Sequence, residues 1–115
     1  GFDEEESDDF TDEMAVPSAV KLHKNYPNPF NPVTAIAFDL PYPSIVTLRV
    51  FNVIGQEVAT LLNKEELSEG YYSHEFDAKQ LSSGLYFYRM EIQELSENGQ
   101  IAHKVMFTDK MLLVK

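Results

Sequence analysis

From Ala19 onward, short apolar runs are separated by turn residues roughly every ten positions, and within each run apolar and polar side chains alternate. A period of two places successive side chains on opposite faces of an extended backbone, so the pattern predicts strands rather than helices. Val20–Lys24 is a modest first strand. Asn25-Tyr26-Pro27-Asn28-Pro29-Phe30-Asn31-Pro32 cannot lie inside a sheet, because each proline removes a ladder donor and holds its predecessor in extended or turn geometry. It reads as an ordered loop. Thr34–Leu40 then sets Ile36, Phe38 and Leu40 on one face, Pro41–Ser44 turns the chain, and Ile45–Val53 directs Val46, Leu48 and Val50 inward with Thr47 and Arg49 outward.

Gly55, in Val53-Ile54-Gly55-Gln56, supplies the positive φ of a tight connection, so Glu57–Leu62 returns as a hairpin partner. Asn63–Gly70 reads as a loop whose Glu65, Glu66 and Glu69 are a solvated surface. Tyr71–Asp77 groups Tyr72, His74 and Phe76 on one face, and Ala78–Gly84 is a turn with one helical coil. Leu85–Leu95 is the most aromatic strand, with Tyr86, Tyr88, Met90 and Ile92 on one side. Asn98-Gly99 suits the two positive-φ positions of a type I′ turn, which pairs this strand with a last one over Ile101–Val114, bulged near Asp109. Seven such strands predict an all-β, seven-stranded antiparallel immunoglobulin-like β-sandwich over residues 18–115. In that architecture a tyrosine at the position of Tyr86 caps the adjacent corner with its hydroxyl; plain core packing is the other reading. An orphaned buried hydroxyl costs about 1–3 kcal/mol.

Charge changes the picture at one end only. The 115 residues carry a net charge of −10, and Asp3, Glu4, Glu5, Glu6, Asp8, Asp9, Asp12 and Glu13 supply most of it without one basic neighbour. Dense like charge with only Phe2 and Phe10 to bury predicts a disordered acidic linker over residues 1–17. A calcium loop is the competing reading of Glu4–Asp9, but the run lacks the central glycine that such a loop needs. The acidic balance argues against nucleic acid as a partner, since phosphate binding relies on Lys and Arg. With no Cys, disulfides and thiolate metal sites are excluded. No run is long enough to span a bilayer and no secretory leader stands at the start, so a chain opening on Gly1-Phe2 reads as part of something longer.

Catalytic chemistry has no foothold in the pattern. His23, His74 and His103 fall on separate strands with different parities, outside any nucleophile elbow or zinc-binding helix, and the five glycines are scattered singly. The expectation is no enzymatic activity, no cofactor and no metal. Pro29-Phe30-Asn31-Pro32 has the bare Pro-x-x-P spacing without a flanking base, a weak match to groove-binding proline motifs.

Four segments taken together do point somewhere. They are Asn25–Pro32, Val46-Thr47-Leu48-Arg49-Val50-Phe51-Asn52-Val53-Ile54-Gly55-Gln56-Glu57-Val58, Ser83-Gly84-Leu85-Tyr86-Phe87-Tyr88-Arg89-Met90, and Lys110-Met111-Leu112-Leu113-Val114-Lys115. In this order they resemble the type A carboxy-terminal sorting domain of proteins exported by the type IX (Por) secretion system. The immunoglobulin-like domain of the flagellar hook-capping protein is a related family. The resemblance implies the last, non-catalytic module of a larger secreted protein, reaching the cell surface or the exterior through the periplasm and outer membrane. It also implies as partners the outer-membrane translocon and its shuttle components, an upstream cargo domain, and a sortase-like peptidase that cuts the linker and attaches the cargo to anionic lipopolysaccharide. Pro27, Asn28 and Pro29 would belong to the opening motif, Gly84 and Tyr86 to the central one, and Lys110 and Lys115 to the terminal one. Ser96–Thr108 departs from the family pattern as a longer, more apolar final hairpin.

The last strand and its basic end are expected to form the docking surface, through an unpaired edge or a short free tail. Two other classes compete: an accessory carbohydrate or surface-attachment module using Tyr42, Tyr71, Phe51 and Phe87, and a structural spacer.

Overall fold

The computed structural model describes residues 16–115, so the acidic segment and the calcium reading of Glu4–Asp9 lie outside the described residues. Seven strands follow in chain order: β1 (Lys21–Leu22), β2 (Val33–Leu40), β3 (Ser44–Phe51), β4 (Glu57–Leu67), β5 (Gly70–Asp77), β6 (Gly84–Leu95) and β7 (Ile101–Leu113). They form two antiparallel sheets, one ordered β1-β2-β5 and the other β4-β3-β6-β7. The fold is all-β, and the turn at Ala78–Gly84 contains no helical coil.

Alternation does what it predicts at the centre. Ile36, Phe38 and Leu40 from one sheet meet Val46, Leu48, Val50, Tyr88, Met90 and Ile92 from the other, all at most 1 % exposed. Each such side chain contributes about 1.5–3 kcal/mol of transfer free energy. Phe38 stacks on Tyr72 with ring centroids 5.3 Å apart, a cross-strand pair in the β2–β5 register.

Four details differ from the reading of the sequence, each for a local reason. β4 continues to Leu67 through the polar run Asn63–Glu66. An extra residue enters between the pairs Leu48↔Leu62 and Val46↔Glu65, and Lys64 takes a left-handed backbone (φ 51°). The bulge shifts the side-chain phase, which gives a strand the appearance of a loop. The second difference is the turn at Glu97–Gly99. Only Gly99 has positive φ (82°) and its N–H bonds to Ser96 O, so this is a three-residue hairpin and not type I′.

The Asn52–Gln56 turn uses the same device, with Gly55 at φ 87° bonded to Asn52 O. In both turns the first residue's side-chain oxygen, Asn52 Oδ1 or Ser96 Oγ, accepts the N–H of the closing glutamine. The third difference is β7, which has no bulge near Asp109; its only register shift with β6 lies beside the turn, between Glu94 and Leu95. Lastly, the first strand is cut to Lys21–Leu22 because its register against β2 slips by one residue between Leu22↔Phe38 and the isolated bridge Tyr26↔Ala35, where the Asn25 N–H turns to the Tyr88 hydroxyl instead.

Candidate recognition surface

The predicted motif residues converge on one end of the sandwich. In the opening loop, Asn25 is 2 % exposed and its Nδ2 donates to Pro27 O and Thr34 Oγ1, while Thr34 Oγ1 donates to Pro27 O. The peptide bonds before Pro27, Pro29 and Pro32 are cis. Asn28 and Phe30 then lie along the outer edge of β7. Asn28 Oδ1 accepts the Leu112 N–H at 3.0 Å, Phe30 N donates to Leu112 O at 2.9 Å, and Val114 N donates to Phe30 O at 2.9 Å. Phe30 forms a parallel bridge to Leu113 and buries its ring against Phe76.

The other side of the same strand end faces the central motif. Gly84 pairs with Leu113 and Tyr86 with Met111. Lys115 N donates to Ser83 Oγ at 2.9 Å, and its Nζ to Lys79 O at 2.5 Å. Tyr86 is both core and corner, 7 % exposed with its hydroxyl donating to Ser82 O at 2.7 Å. Tyr72 repeats the arrangement on Ser68 O at 2.7 Å. The tail is therefore not free: Leu112–Lys115 is held from both sides, and among the described residues the earlier part of β7 keeps an open edge.

The remaining motif, Val46–Val58, reaches the same end through Phe51 and the turn after it. Phe51, Phe87 and Lys110 are direct cross-strand neighbours on the outward face of β3, β6 and β7, beside the Asn52–Gln56 turn. Arg49 and Arg89 sit opposite one another in the next row, a like-charge pairing that costs local stability. Glu57 and Glu91 offset it at 3.5–3.8 Å, and the Arg89 guanidinium stacks 4.4 Å above the Phe51 ring. A shallow cavity of about 320 Å³ lies between this turn and Thr108, with Val53 and Ile54 exposed at the turn's tip.

One functional group escaped the reading of the sequence. The Tyr88 hydroxyl reaches from β6 to the opening segment, accepting the Asn25 N–H and donating to His23 O, both at 3.0 Å. Burial, aided by the Asp109 carboxylate, pushes its phenol up to about 12, against the Asn25 hydrogen bond that lowers it. Burial also raises the Asp109 carboxyl, but the Lys24 ammonium, hydrogen-bonded at 2.8 Å, and the Lys110 N–H and charge outweigh it and hold it below the ordinary carboxylate value. Alternation alone marks Tyr88 as core. Its bridge depends on partners more than sixty residues away and leaves no local signal.

The histidines stay apart: His23 contacts Asp39 at 3.0 Å, His74 is on β5 and His103 on β7. Among the described residues no three metal-ligating side chains gather, and no helix is long and apolar enough to cross a membrane. The aromatic row of a carbohydrate-binding module does not form either. Phe51 and Phe87 share one face, Tyr71 stands on the other sheet, and Tyr42 lies beside the β6–β7 turn.

Fold and surface together define a small all-β module whose most distinctive residues stitch its two chain-distant ends into one corner. The chain belongs to the secretion system C-terminal sorting domain family, whose model matches residues 24–107. It is thus a sorting signal of type IX secretion, a family not known as catalytic, which engages that machinery and directs export across the outer membrane to the cell surface or beyond. No curated protein and no solved structure matches the chain.

Proposed function

We propose that residues 18–115 form the immunoglobulin-like recognition unit and residues 1–17 an accessible acidic linker between it and an upstream cargo domain. A sortase-like peptidase cuts within the linker, and the outer-membrane translocon with its shuttle components reads the folded corner. In this reading Pro27, Asn28, Pro29, Gly84 and Tyr86 build the corner, and Lys110 and Lys115 give it the basic charge that a partner meets. The observation that carries it is the double clamp on Leu112–Lys115, by Asn28 and Phe30 on one side and Ser83 and Gly84 on the other. Four motifs far apart in the chain have this one place in common, and a signal distributed along the sequence is readable only once folded.

The test is a reporter fused to residues 1–115 in a host with type IX secretion. Deleting Lys110–Lys115 removes half the clamp and unfolds the corner, so charge reversal is the sharper variant. Lys110→Glu with Lys115→Glu is expected to abolish export while circular dichroism stays that of the parent. Normal export of that variant sinks the proposal.

A further inference from the structure

The exposed edges of the two sheets are not equivalent. β4 is irregular, with three register shifts against β3, and Glu57, Lys64, Glu65 and Glu66 along it; bulged, charged edges resist pairing. β1 is two residues long. β5 is regular but carries Glu75 and Asp77. β7 is both regular and long, in unbroken register with β6 from Gly84↔Leu113 to Glu94↔His103.

Part of the β7 edge is already used. Leu112 turns its N–H and C=O away from β6, where Asn28 and Phe30 take them, and the Asp109 carboxylate takes the Lys110 N–H. Main-chain groups alternate sides along an antiparallel strand. Those of Ala102, Lys104, Met106 and Thr108 therefore also point away from β6, and none has a partner among the described residues. The open stretch is bounded by the Phe30 clamp at one end and the Ser96–Gln100 turn at the other. It measures about 24 Å at the usual strand rise.

Side chains flanking the stretch specify its occupant. Val105 and Phe107 are half-buried on the face packed against the core. Lys104, Met106 and Lys110 stand exposed on the opposite face. Lys104 and Lys110 leave this strand basic in a chain of net charge −10, because its one acid, Asp109, is held by Lys24.

We propose that the outer edge of β7 over Ala102–Thr108 is a strand-addition site for an extended segment of a partner protein in which acidic and apolar residues alternate. Its main chain completes the ladder at Ala102, Lys104, Met106 and Thr108. Its apolar side chains extend the Val105 and Phe107 row, and its carboxylates lie beside Lys104 and Lys110, where opposite charges on neighbouring strands attract. The inference rests on the sorting reading only in making that partner part of the export machinery.

The probe is a synthetic peptide of alternating Asp and Val, with a Lys/Val peptide as control, added to residues 1–115. Amide hydrogen exchange read by NMR is expected to show the Lys104, Met106 and Thr108 amides protected by the acidic peptide and not by the basic one, with the β5 edge unchanged. Met106→Pro removes an outward donor while sparing the bonds to β6, and Lys104→Glu reverses an exposed charge. Each is expected to weaken binding about tenfold or more, the equivalent of 1.4 kcal/mol.

Equal binding by both variants, protection at β5 instead, or no binding at all overturns the proposal. So does protection of the same amides in the free protein, which would mean that the chain's own acidic segment fills the edge. Export separates this inference from the sorting reading. If the parent reporter is exported and the folded Met106→Pro form is exported equally well, the edge is not what the machinery reads and the sorting reading stands. If the parent is not exported although the peptide binds, only the sorting reading falls.

Discussion

Replacing Tyr88 by Phe deletes one oxygen and two hydrogen bonds, and its cost follows from what those bonds satisfy. The Asn25 N–H belongs to a residue 2 % exposed and has the Tyr88 hydroxyl as its partner at 3.0 Å; His23 O receives the same hydroxyl's proton at 3.0 Å. Two ordinary hydrogen bonds contribute about 0.5–1.5 kcal/mol each, and a buried donor left unsatisfied costs about 1–3 kcal/mol. The phenyl ring keeps its packing, so the loss is about 2–4 kcal/mol, a large share of the 5–15 kcal/mol typical of a domain. With a urea slope of about 1.5 kcal/mol/M, the midpoint falls by about 2 M at unchanged slope.

Tyr72→Phe is the internal control. Its hydroxyl donates one bond to Ser68 O at the surface and orphans no donor, so it costs about 0.5–1 kcal/mol. The assay is equilibrium urea unfolding of both variants, with exchange of the Asn25 amide as a local readout. If Tyr88→Phe costs no more than Tyr72→Phe, the bridge does not hold the opening segment and the reasoning fails.

Phe30→Ala empties a site only 2 % exposed and is expected to lose about 3–5 kcal/mol in the same measurement, together with faster exchange of the Val114 amide. Gly55→Ala and Gly99→Ala meet no atom within 4 Å, so backbone strain at φ 87° and 82° alone sets their cost, about 1–2 kcal/mol by thermal denaturation. The lowered Asp109 carboxyl contributes stability that is fully present above the ordinary carboxylate value of 3.8 and disappears as pH falls through the lower folded value. Asp109→Asn is expected to flatten the acid limb of a stability-against-pH curve below that value; an unchanged limb rules the contribution out. In alkali, Tyr88 is expected to ionise only near pH 12, which the difference in phenolate absorbance between the parent and Tyr88→Phe forms will show.

The strands that face the core on one side were legible because two-residue alternation survives wherever register is unbroken, as in Thr34–Leu40 and Leu85–Leu95. β4 was legible only to Leu62, since the inserted residue beyond it reverses which side chains face inward. The turn residues Gly55 and Gly99 announced their positions but not their turn type, which depends on whether Asn98 also adopts positive φ. The motif residues stood out as a set, yet nothing local indicated that Asn28 would meet Leu112 or that Lys115 would meet Ser83. Those contacts depend on sheet order, which pattern does not encode. Tyr86 declared itself through its position at a strand's start; Tyr88, two residues later, did not.

The clamp between Phe30 and Leu112–Val114 also dictates an order of events. A polypeptide delivered amino end first presents Asn25–Pro32 long before the segment that completes it exists, and non-local closures of this span are slow to form. Until Ile101–Leu113 emerges, the corner has no second half and the four-stranded sheet no β7. Maturation of the tag therefore waits for that segment, so a polypeptide truncated before it never acquires the finished shape.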